Sequence, residues 1–93
     1  MYKKELDDAV AAWEAAGYMA EVVHTGGNIW CAVTQIRPGL EAVAGEEEFA
    51  VFINDEWNNW VEESESISNT DYDAQIALME KLKDPEYVFT VAY

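Results

Sequence analysis

The chain has 93 residues, 51% hydrophobic and 13% aromatic, and its nineteen acids against five bases give a formal charge of -14. That length suits one domain, residues 1–93, and is too short for two, while the hydrophobicity argues against intrinsic disorder, which needs low hydrophobicity as well as high charge. The charge argues against direct binding to DNA, RNA or an anionic membrane, each of which asks for a basic patch, and Cys31, the only cysteine, cannot close an intramolecular disulfide.

Residues 3–16 read as a helix: Leu6, Val10 and Trp13 recur at helical spacing, alanines fill the same stripe, and Gly17 supplies a stop. Residues 18–24 and 29–36 read as a β-hairpin around Thr25-Gly26-Gly27-Asn28, and Arg37-Pro38-Gly39 ends its second strand. Residues 40–46 read as a connector. A third strand is expected over 47–54, with Phe49, Val51 and Ile53 on one face and Phe52 on the other. Asn54-Asp55-Glu56 reads as a tight turn into a fourth strand over 57–67, although Trp57, Trp60 and Val61 also fit a helical turn. Residues 71–83 read as a second helix with a stripe of Tyr72, Ile76, Met79 and Leu82 or Lys83, and Leu78 beside it, stopped by Asp84-Pro85. A last strand over 87–93 alternates Tyr87, Phe89, Val91 and Tyr93 with smaller residues, which pins the C-terminus in the sheet.

The expected architecture is therefore α+β in the order α-β-β-β-β-α-β, with two helices on one face of a four- to five-stranded, mainly antiparallel sheet. Met1-Tyr2-Lys3-Lys4-Glu5 leads into acids rather than an apolar stretch, so neither a signal peptide nor a membrane span is expected. A single cysteine fits a reducing cytoplasm.

Catalytic and metal chemistry finds little support. His24 is the only histidine; with Cys31 it could form a Cys–His pair only if the hairpin brings the two together, and a turn-flanking histidine beside a buried thiol explains them more simply. Asn69, Asp71, Asp73 and Glu80 sit at positions 1, 3, 5 and 12 of a calcium loop, but Ala74 replaces the required glycine and a strand is expected where the entering helix belongs. Acids at a helix N-terminus account for the same residues. Paired carboxylates such as Glu62-Glu63 are expected by chance among nineteen acids. With no phosphate loop, nucleophile elbow or zinc spacing, the expectation is a protein that is not an enzyme and carries no cofactor or metal.

The charge distribution is more informative. No basic residue lies between Arg37 and Lys81, an interval that holds twelve acids from Glu41 to Glu80. Ordinary solvated surfaces mix signs. Glu46, Glu47, Glu48, Asp55, Glu56, Glu62, Glu63, Glu65, Asp71 and Asp73 form the expected partner-binding face. Acids on one strand face would recur at roughly 6.6 Å, offering a phosphate-like lattice to a basic groove, with Trp57, Asn58, Asn59 and Trp60 as anchors among them. The competing expectation is that Trp57 and Trp60 are core rather than interface, and that the acids are only a solubilising coat or an adaptation to salt.

A short acidic α+β chain without a catalytic motif, its acids concentrated from Glu41 to Glu80, resembles the small inhibitors made by phages and mobile elements: anti-CRISPR and anti-restriction proteins that mimic DNA. The resemblance is one of general character, with no motif matched position by position. It implies a protein in the cytoplasm of a bacterial host cell, whose partner is a basic nucleic-acid-binding protein or complex. The alternative is a small structural or assembly module acting through an apolar interface.

Overall fold

A computed structural model describes residues 3–27, 29–54 and 56–93, with the backbone alone at Thr25 and Trp57. Helix α1 (Lys3–Ala15) is followed by strands β1 (Ala20–Gly26), β2 (Ile29–Arg37), β3 (Leu40–Ala44), β4 (Phe49–Ile53) and β5 (Glu56–Val61). A 3₁₀ turn (Glu62–Ser64), helix α2 (Tyr72–Leu82) and a short β6 (Val91–Ala92) complete the chain. The sheet is a six-stranded meander, β1 to β6 in sequence order, with every pairing antiparallel. The α+β class and the two helices are as the sequence indicates; the strand count is six rather than four to five.

The additional strand is β3. Arg37 pairs with Leu40, so Pro38-Gly39 does more than end β2: it turns the chain directly into β3. Gly39 has φ +90, and a Cβ there would lie 3.2 Å from Asn54 Oδ1, so both backbone and space favour glycine. β3 hides from sequence reasoning because Leu40-Glu41-Ala42-Val43-Ala44 has one β-branched residue and no polar alternation. It is nonetheless central, with Leu40, Ala42, Val43 and Ala44 all buried.

Two other elements are shorter than expected. The fourth expected strand ends at Val61 because the Ser64 hydroxyl donates to Val61 O at 2.6 Å and accepts from Val51 N at 3.2 Å, folding the chain back over β4. The last strand shrinks to two residues. Tyr87 and Phe89 still face the core and Val88 still faces out, but backbone pairing reaches β5 only around Thr90–Ala92.

Both helices lie on one face of the sheet. Leu6, Ala9 and Trp13 of α1 and Leu78, Met79 and Leu82 of α2 bury against Ala32, Ile36, Ala42, Phe49, Val51 and Val61. α1 ends in a paired cap, Gly17 N to Glu14 O and Tyr18 N to Trp13 O (both 3.0 Å), with Gly17 at φ +100 and Tyr18 folded onto the core. The helices are tied together by polar contacts. Trp13 Nε1 donates to Gln75 Oε1 at 2.9 Å, Gln75 Nε2 donates to Ser68 O at 2.9 Å, and Tyr72 OH donates to Glu5 O at 3.1 Å. Arg37 Nε reaches Leu82 O at 2.8 Å and closes the C-terminal end of α2 onto β2.

Gln75 is fully buried with both ends of its amide engaged. Gln75→Ala leaves an indole N–H and a carbonyl unpaired and opens a void. We expect a loss of ~2–4 kcal/mol, read as a Tm lower by roughly 10–25 °C; an unchanged melt would show that the bridge holds nothing.

Burial first, and then the negative charge of Glu80, raises the pKa of the buried Tyr18 hydroxyl. The fold therefore favours the neutral phenol. This contribution is complete below the unfolded value of about 10 and is lost as pH climbs above it. We expect Tyr18→Phe to hold its stability further into the alkaline range than the parent chain, measured by denaturation at pH 8 and above.

Candidate functional site

The sheet face away from the helices carries a continuous cross-strand row: Gln35 opposite Glu41, Glu41 opposite Phe52, Phe52 opposite Trp60 and Trp60 opposite Ala92. Val33, Val43 and Ala50 form the adjoining row. Alternation dictates this, since Thr34, Ala42, Val51 and Val61 point to the core. At the end of this face where β4 begins and β5 ends, a half-open cavity of about 560 Å³ is lined by Ala50, Phe52, Trp60 and Ile67, with Glu47, Glu48 and Glu65 among its walls.

Three connections converge there. Gly45 N donates to Glu48 O at 2.8 Å, shaping the β3–β4 turn. Asn69 Nδ2 donates to Gly45 O (3.1 Å) and Glu46 O (2.9 Å), which ties the approach to α2 onto that turn. The Ser64 corner carries the chain back, so that Trp60 Nε1 donates to Glu65 Oε1 at 2.7 Å.

The expected partner-binding acids divide by place. Glu46, Glu47 and Glu48 lie exposed in the β3–β4 turn, and Glu62 and Glu65 lie exposed at the corner after β5. Glu63 is half-buried, and its carboxylate accepts from Thr90 N at 3.1 Å, so it positions the approach to β6. Asp71 caps α2 through Ala74 N at 3.1 Å, with Asp73 in the first turn. Glu56 sits apart, opposite Ile53 and bonded to Asn59, at the far end of β4. Four residue rises along that strand set it roughly 13 Å from Phe49. Asp55, Asn28 and the side chain of Trp57 lie outside the described residues.

A strand lattice of acids is therefore not what forms: the grouped acids occupy turns and a 3₁₀ corner at one end of the sheet. Among the described residues the ion pairs are Lys3–Asp7, Lys4–Asp8 and Lys83–Glu80, all helical, and no cation lies within pairing distance of Glu46, Glu47, Glu48, Glu62 or Glu65.

His24 lies opposite Trp30, their rings tilted against each other with centroids 4.5 Å apart, whereas Cys31 lies opposite Val23, so the two side chains leave opposite faces of the hairpin. Two of the calcium-like residues are engaged in structure, Asn69 through its amide nitrogen and Asp71 as a cap. No group of three or more potential metal ligands occurs among the described residues.

Phe52, Ile67 and the Trp60–Glu65 bond were not legible as parts of a site. Read as a continuous strand, residues five apart point to opposite faces. Only the corner at Glu62-Glu63-Ser64, where apolar alternation stops, signals that they meet.

Compared with known proteins, the chain matches no family model, no curated protein and no solved structure.

Crowded acids without cations repel one another, and salt screens this: the Debye length falls from about 30 Å at 0.01 M to about 8 Å at 0.15 M. We expect Tm to rise over that salt range and Glu47→Gln to raise the low-salt Tm. Glu63→Ala should do the opposite. It removes the acceptor for Thr90 N, costs about 1 kcal/mol and lowers Tm by ~4–8 °C.

Proposed function

We propose that the chain is a non-enzymatic inhibitor that binds a protein, its acidic surface competing with nucleic acid for a basic groove. The partner class is a nucleic-acid-handling complex, such as a CRISPR effector or a restriction or other nuclease assembly, in the cytoplasm of a bacterial host. The observation that carries this reading is the gathering of Glu46, Glu47, Glu48, Glu62 and Glu65 at one end of the sheet, with no cation paired to them among the described residues. Repulsion between uncompensated carboxylates costs the fold stability, and a basic partner would turn that cost into association energy and fast, steered encounter. Among the described residues no helix is long and apolar enough to cross a membrane.

The test is capture of basic nucleic-acid-binding complexes from bacterial lysate at low and moderate salt, with duplex DNA as competitor. We expect capture that DNA displaces and salt weakens, and at least a tenfold loss of affinity on combined Glu46→Lys, Glu47→Lys and Glu62→Lys. Glu63 is left intact because it supports the fold. Capture indifferent to DNA and to these changes would overturn the reading.

A second reading, an assembly module with an apolar interface, draws on the β6 edge. Val88 is 86% exposed and Tyr93 89%, beside a strand that pairs on one side only in the sheet order. A concentration-dependent dimer in sedimentation, lost on Tyr93→Ser, would favour it.

A further inference from the structure

We propose that the cavity at the end of the outer sheet face is a receptor for one arginine side chain of a protein partner. This rests on the inhibitor reading above and names the chemistry that its site selects.

The cavity joins two features that bare acidity lacks. Its floor is aromatic: Phe52 and Trp60 are cross-strand neighbours, and Ile67 closes one side. Its rim is anionic: Glu47 and Glu48 come from the β3–β4 turn and Glu65 from the corner after β5. At about 560 Å³ it has the capacity of a small-ligand site, ample for a long side chain entering from its open side.

The indole is held rather than loose. Its N–H donates to Glu65 at 2.7 Å, which fixes the ring orientation, and one N–H leaves most of that carboxylate's acceptor capacity unused. A cation seated over the ring would meet the π-face and the carboxylates together. Among the described residues this chain supplies no cation of its own within pairing distance of Glu47, Glu48 or Glu65, so the complementary charge must come from outside.

Arginine fits this better than lysine. A guanidinium is planar, stacks on an aromatic face, is weakly hydrated and offers five donors in a fork that two carboxylates can share. An ammonium is compact and strongly hydrated, and gains less from a flat apolar floor. Grooves that bind phosphate backbones carry arginines, so an arginine freed from its phosphate is the group a nucleic-acid competitor would meet.

The test is a titration of the ¹⁵N-labelled full chain with hexaarginine and with hexalysine at matched ionic strength, followed by NMR. The Trp60 indole signal would be assigned from its loss in Trp60→Phe. We expect that signal and the Ala50 and Ile67 amides to shift on hexaarginine, with affinity about fivefold or more above hexalysine. Trp60→Ala should abolish the difference. Combined Glu47→Gln and Glu48→Gln, at exposed positions that leave the fold intact, should weaken hexaarginine about fivefold or more, and Glu56→Gln at the far end of β4 should not. Equal binding of the two peptides, a stationary indole signal, or equal weakening by Glu56→Gln would overturn the proposal. If the arginine preference is missing while DNA-displaceable capture persists, the pocket assignment fails and the inhibitor reading stands. If the preference is present without such capture, the pocket stands and competition with nucleic acid fails.

Discussion

The Ser64 hydroxyl holds the corner on which the outer face depends. It donates to Val61 O and accepts from Val51 N, both within a fully buried environment. Without that pair of bonds β5 would run on as a strand, Glu65 would leave the sheet on the side opposite Trp60, and the cavity between β4 and the corner would not close. One small polar side chain thus converts the end of the sheet into a shaped cavity. Its burial is tolerable because the donor and the acceptor role are both filled.

The same economy runs through the rest of the core. Gln75 satisfies an indole on α1 and a backbone carbonyl ahead of α2, and Asn69 satisfies two carbonyls of the β3–β4 turn. These amides fix the segment between the corner and α2, which passes close to the acid-rich turn. The helices therefore do more than cover the sheet: through residues 68–71 they hold the acidic end in place. A high negative charge makes such fixing necessary, since unrestrained turns bearing Glu46, Glu47 and Glu48 would spread apart to relieve repulsion.

Much of this fold was legible because its strongest signals are local. Leu6, Val10 and Trp13 mark one helical stripe that Ala9 fills, Gly17 a cap, and Phe49, Val51 and Ile53 a strand face; each works without knowledge of the rest of the chain. β3 was illegible because its alanines are fully buried in the same core cluster as Trp13 and Met79, a tertiary cause that overrides strand propensity. The β6 pairing was overextended for the converse reason. Tyr87 and Phe89 alternate as a strand should, yet their burial comes from packing under the sheet end and not from a ladder. For the site, the acidic residues were visible as a list, but their grouping was not. Ordinary strand parity separates Trp60 from Glu65, which the corner reverses, and nothing local to Glu56 shows that it lies at the far end of β4.

On the proposed reading the acidic end of the sheet, and not the apolar C-terminal edge, meets the partner. Hydrogen exchange measured on the chain alone and in complex with the first protein that it captures and DNA displaces tests this most directly. Added protection is expected over residues 45–49 and 60–67, with residues 20–26 and 88–93 unchanged. Protection confined to residues 88–93, with the acidic end exchanging as in the free chain, would contradict it.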